Sequence, residues 1–151
     1  MSLSLSTKAT TLHVKIHSQT EKLEFVRTFI SEAAQQFGFD EDSVQNIVLA
    51  VDEACTNIIK HSYEYASNKD IDIRIMTDDH RFEIIITHQG KPFDPKSVEI
   101  PDMPAYLASY RKGGLGMYIM RAMMDEIEYK KLPNNITEVH LIKYLRNKIS
   151  R

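Results

Sequence analysis

Glu53 and Asn57 stand four residues apart in the run Val-Asp-Glu-Ala-Cys-Thr-Asn-Ile-Ile-Lys-His-Ser, residues 51 to 62. On a helix that spacing sets a carboxylate and an amide oxygen on one face. The first can take a proton, and the second can ligate a hard divalent cation. Val44, Ile47, Val48, Val51, Cys55, Ile58 and Ile59 form an apolar stripe roughly opposite, at about 100° per residue, so the pair is expected to point away from the core. A lone Glu and Asn so placed are more often only a solvated helix face, and the pair decides nothing by itself.

A second group of residues suits anions. Of the five glycines, Gly90 closes an apolar run, and Gly113, Gly114 and Gly116 open another. A glycine-rich helix N-terminus lets backbone N–H groups approach a phosphate closely, although hinges and caps use glycine in the same way. The Gly-Lys-Ser/Thr ending of a P-loop is missing. His13, His17, His80 and His140 have no carboxylate or cysteine at metal-ligand spacing, so no zinc site is expected. His61 suits a structural place near a helix end, and Cys55 on the stripe reads as an inert buried thiol. Met117, Met120, Met123 and Met124 are expected to pack into the core.

These residues need a scaffold, and its elements are legible. TLHVKIH (11–17) alternates like a half-buried strand. Apolar residues at spacings of three and four predict a helix from Glu21 to Phe37, which Gly38 stops. Asp40 offers an N-cap to a second helix running to about Tyr65. Strands over 71–75 and 82–88 form a hairpin about Asp78-Asp79. Pro92, Pro95, Pro101 and Pro104 break the pattern between Gly90 and Gly114, and a loop that long is usually functional or mobile. A short helix (115–123) and strands at 127–130 and 136–145, flanking Pro133-Asn134-Asn135, complete the chain. The order predicts an α+β fold: a two-layer sandwich whose mixed, largely antiparallel sheet is covered by helices on one face.

A length of 151 residues suits one domain, 1–151. With 42% hydrophobic and 26% charged residues, it has an ordinary globular composition. The 19 basic and 21 acidic side chains leave a formal charge of −2, no footprint for nucleic acid or an anionic membrane. A single cysteine excludes an internal disulfide, and the start Met-Ser-Leu-Ser-Leu lacks the charged and apolar regions of a secretory signal. A cytoplasmic protein is expected.

Taken together the motifs form a recognisable set. Asp52 to Tyr63 resembles the N box of the histidine-kinase-like ATPase superfamily, which includes gyrase and histidine kinases, and specifically that of the anti-sigma-factor serine/threonine kinases. Gln89-Gly90-Lys91-Pro92-Phe93-Asp94-Pro95 resembles its first glycine box, and Lys112-Gly113-Gly114-Leu115-Gly116-Met117 its second. Their order and spacing span most of the chain.

The resemblance implies the histidine-kinase-like ATPase fold and an ATP- and Mg²⁺-dependent protein kinase that phosphorylates a small antagonist protein and sequesters a sigma factor. It makes Glu53 the catalytic base and Asn57 a ligand of Mg²⁺ on the ATP phosphates. Gly90, Gly113, Gly114 and Gly116 would serve the nucleotide, with residues 91–112 as its lid. It also implies a possible homodimer. One position departs from the pattern: His88 stands where the family has an adenine-reading Asp, while Thr137 matches the neighbouring Thr. That exchange is expected to cost on the order of tenfold in affinity. With an ordinary imidazole titrating near ~6.5, adenine binding should also weaken from about pH 8 to about pH 6. His88 motivates an alternative, a degenerate module that switches partners by contact without phosphoryl transfer.

Overall fold

The computed structural model describes residues 9–90 and 114–146. The strands are β1 (Thr10–His17), β2 (Asp70–Thr77), β3 (Arg81–Gln89), β4 (Glu126–Leu132) and β5 (Ile136–Tyr144). The α-helices are α1 (Leu23–Phe37), α2 (Glu41–Asn57) and α3 (Gly114–Met123). A 3₁₀ turn at Thr20–Lys22 leads into α1. The five strands lie in the order β1-β2-β3-β5-β4. Every pairing is antiparallel, so the sheet is not mixed. The β2–β3 and β4–β5 connections are of hairpin length, which joins those strands antiparallel.

Strand alternation sorts the side chains onto two faces. Ile71, Ile73 and Ile75 of β2 and Phe82, Ile84 and Ile86 of β3 lie on one of them. With Val139 and Leu141 they meet Leu23, Val26, Ile30, Val44, Ile47 and Val51 from α1 and α2 in a single core. Met120 and Met124 are buried there and Met123 packs against it, while the side chain of Met117 lies outside the described residues. The opposite face mixes buried Ile85 and Ile142 with polar side chains. Across it Arg81, Glu83, His140, Glu138 and Arg74 form a polar chain, with ion pairs from Arg81 to Glu83 and from Arg74 to Glu138 and the His140 ring lying between the Glu83 and Glu138 carboxylates at 2.5 and 2.9 Å.

Local chemistry sets the helix ends. Asp40 accepts a hydrogen bond from the Ser43 amide at 2.8 Å, and that amide keeps its carboxyl below the usual carboxylate range. Gly38 ends α1 at φ +117°, with Leu145 3.2 Å from where a Cβ would sit. Gly38→Ala is therefore expected to destabilise the fold by about 1–2 kcal/mol, read as a lower urea midpoint. An unchanged midpoint would show that this turn tolerates a side chain.

The second helix departs from its expected course. Its α-helical part stops at Asn57, and Ile58–Ser62 follows as a π-helical turn in which the Tyr63 amide reaches back to the Ile58 carbonyl at 2.8 Å. Glu64 and Tyr65, expected at the helix end, have left-handed backbones at φ 49° and 67°. The wider turn starts immediately after one of the two residues singled out above, and such turns often lie at functional sites.

Candidate functional site

The candidate residues lie on α2 and on β3 and β5, strands that α2 packs against. Two of them belong to α2. Asn57 is only 7% exposed, and its amide nitrogen is buried without a hydrogen-bond partner. This burial excludes a solvated helix face for Asn57. A helix judged alone has one buried side, but α2 packs against α1, α3 and the sheet. The amide nitrogen spends no hydrogen bond inside the protein, and an amide oxygen is a ligand type that suits a hard divalent ion.

Glu53, one turn earlier, is half-buried. Burial raises its pKa above the ordinary carboxylate value, the neighbouring Asp52 raises it further, and Lys60 opposes both. A carboxylate with a raised pKa is a better proton acceptor. Asp52 itself accepts a hydrogen bond from Arg27 of α1 at 2.7 Å. The sequence gives no sign of this arginine, because the contact joins residues 25 positions apart.

The sheet supplies the other side. His88 lies opposite Thr137 in the β3–β5 register, on the face that carries Ile84 and Ile86. Both are buried, at 3% exposure each. Neither ring nitrogen of His88 has a hydrogen-bond partner. Burial pushes the imidazole down to about 4, because a charge is costly away from water. The expected loss of nucleotide affinity between about pH 8 and about pH 6 therefore has no titrating group at His88, and that expectation is corrected.

Tyr63 fixes this corner and was missed in the sequence. Its ring meets His88 edge to face, with centroids 5.8 Å apart and planes at 88°. Its hydroxyl donates to the Asp70 carbonyl at 2.6 Å and accepts from the Gln89 amide at 3.1 Å. The same ring lies 3.0 Å from where a Cβ on Gly90 would sit, and Gly90 has φ +152°, so this glycine is required both by its backbone angle and by space. No local pattern announces such a role, since Tyr63 and Gly90 meet only in the folded chain.

An open groove of about 510 Å³ runs past this corner, lined by Tyr63, Thr87, His88 and Gln89 among others. It flanks the site without coinciding with it, since neither Glu53 nor Asn57 lines it. Gly114 begins α3 and Gly116 lies in its first turn. The lid at 91–112 and Gly113 lie outside the described residues.

The profile of the histidine kinase-like ATPase domain matches residues 16–143. A serine-protein kinase RsbW of Bacillus velezensis is 31% identical over 93% of this chain and 89% of its own length. One of Bacillus subtilis is 30% identical over 89% of this chain and 85% of its own. Two solved structures share the fold. The RsbU and RsbW domains of Rv1364c from Mycobacterium tuberculosis match at a TM-score of 0.61, with 18% identity, over 89% of this chain and 32% of that one. The SiaB–SiaC complex from Pseudomonas aeruginosa matches at 0.63, with 12% identity, over 87% of this chain and 88% of that one. With a domain profile spanning most of its length and relatives at 30% identity or more over about nine-tenths of it, the chain belongs to the histidine kinase-like ATPase family, alongside the serine-protein kinases RsbW.

Proposed function

We propose that this protein is an ATP- and Mg²⁺-dependent serine/threonine protein kinase and anti-sigma factor, which phosphorylates a small antagonist protein and sequesters a sigma factor in the cytoplasm. The observation that carries the reading is the pairing on α2 of a half-buried carboxylate with a buried amide one turn later, whose nitrogen has no hydrogen-bond partner. Asn57 would hold Mg²⁺, whose charge offsets that of the ATP phosphates when bound. Glu53, with its raised pKa, receives the proton of the attacking hydroxyl. Gly114 and Gly116, in the first turn of α3, would offer backbone N–H groups to the phosphates; Gly113 is assigned to the same role, and residues 91–112 are proposed as the lid. His88, Gly90 and Thr137 form the end that receives the base. No helix among the described residues is long and apolar enough to cross a membrane, and the protein is proposed to act without contacting nucleic acid. A homodimer is the proposed assembly.

The test is to mix the purified protein with ATP, Mg²⁺ and candidate antagonists and to search for phosphoserine or phosphothreonine by mass spectrometry. Phosphorylation that requires both ATP and Mg²⁺ supports the reading. The uncharged His88 favours a second one, in which partners are exchanged by contact alone. Antagonist binding that is unchanged by nucleotide and leaves no phosphate would favour that second reading.

Asn57→Ala is expected to weaken Mg²⁺-ATP binding by tenfold or more, since even outer-shell partners of a bound metal are worth about 10–100-fold. Calorimetry with and without EDTA checks this, because the loss should vanish once Mg²⁺ is chelated. Equal affinities of parent and variant in the presence of Mg²⁺ would leave Asn57 a structural residue.

A further inference from the structure

A buried imidazole usually has one nitrogen bonded to a carbonyl or carboxylate, and that bond decides which nitrogen carries the proton. His88 has no such bond. It is 3% exposed and both nitrogens are unpartnered. What holds the ring is the edge-to-face contact with Tyr63 at 5.8 Å, which uses neither nitrogen. Tyr63 is itself fixed through its hydroxyl to the Asp70 carbonyl and the Gln89 amide. The ring is therefore held in place while its tautomer stays open.

The chemistry of its neighbour is similar. Thr137, directly opposite in register, carries a hydroxyl that both donates and accepts. A neutral imidazole and a hydroxyl bring no charge toward phosphates, so they suit the edge of an uncharged heterocycle. Together they form a recognition pair without fixed polarity: each can accept from an amino group, and each can donate to a keto oxygen. A carboxylate at position 88 could only accept.

We infer that His88 and Thr137 make the base end of this site accept 6-amino-purine and 6-keto-purine nucleotides alike, so that the protein uses both classes as ligands. This rests on the proposed nucleotide site and adds its base specificity. His88 and Thr137 are the specificity-determining residues. The pKa of about 4 at His88 agrees, since an imidazolium would only donate and would reject the amino group.

The test is calorimetry at pH 7.5 with Mg²⁺ and no protein substrate, using ATP, inosine triphosphate and purine riboside triphosphate, which carries no 6-substituent. In the parent protein, ATP and inosine triphosphate should bind within about fivefold of each other, and each about tenfold tighter than purine riboside triphosphate. His88→Asp should separate the first two by more than about tenfold in favour of ATP. His88→Gln, which keeps both a donor and an acceptor, should leave them close and provides a check if the buried carboxylate impairs folding. ATP binding more than about tenfold tighter than inosine triphosphate in the parent would overturn the inference and leave the nucleotide site intact. Equal affinity for all three would also overturn it, because no 6-substituent would then be read. Failure of all three to bind would overturn the nucleotide site and this inference together.

Discussion

Glu53→Gln is expected to lower phosphoryl transfer to the protein substrate about a thousandfold while changing nucleotide affinity less than about threefold, within the 10²–10⁴ contribution usual for general acid–base catalysis. Glutamine keeps the shape and polarity of the side chain and removes its ability to take a proton. The environment of Glu53 supports the size of the effect: burial and the Asp52 charge both raise its pKa, so the carboxylate holds a received proton better than a solvated one does. Asp52 is in turn bonded to Arg27 at 2.7 Å, which ties the setting of the carboxylate to the packing of α1 on α2. Single-turnover phosphorylation with saturating ATP and Mg²⁺, beside a calorimetric measurement of ATP binding, separates the two quantities. Transfer at the parental rate would remove Glu53 from the chemistry. Joint loss of transfer and binding would show that it shapes the site instead.

The second large effect concerns acid stability. The imidazole of His88 is held down to about 4 from an ordinary 6.5 by burial. Above about pH 6.5 the ring is neutral in both folded and unfolded chains, and its full contribution is present. As the pH falls below that value, the unfolded chain binds a proton that the folded one refuses. Stability then declines until about pH 4, where the folded ring also protonates. A depression of this size corresponds to about 3 kcal/mol lost across that window. His88→Phe removes the titration and keeps a ring against Tyr63. Urea unfolding at intervals from pH 7 to pH 4 should therefore show the parent losing about 3 kcal/mol more than the variant. Parallel curves would mean that the folded protein accommodates an imidazolium at position 88.

Neutral His88 also changes how the site is read. The sequence places a histidine where the resemblance led to an expectation of aspartate, and an ordinary imidazole would make ligand binding sensitive to pH near neutrality. Its position on the inner face of β3, opposite Thr137 and against Tyr63, moves that sensitivity into the acid range. Histidine there acts as an uncharged group in the physiological range.

Much of this molecule was legible in one dimension. Alternation fixed the strands, because a strand with one buried face must place apolar residues at every second position, as Ile71, Ile73 and Ile75 do. Spacings of three and four fixed α1 and α2, and Asp40 and Gly38 marked their ends through side-chain and backbone chemistry that needs no distant partner. The pairing of Asn134 and Asn135 in left-handed conformations likewise follows from local turn preference. Glu53, Asn57 and the glycine boxes were singled out from spacing and resemblance, and their roles are proposals.

What only the tertiary structure decided were the properties created by neighbours remote in sequence. The burial of Asn57 depends on α1, α3 and the sheet enclosing α2, and a helical period cannot reveal how many sides of a helix are covered. The π-helical turn at Ile58–Ser62, the clamp of Tyr63 on His88 and Gly90, and the bond from Arg27 to Asp52 have no local signature. The protonation of His88 belongs with them. Residue type sets the ordinary pKa, but the cost of a charge depends on the water and partners around it, and those exist only once β3, β5 and the end of α2 have come together.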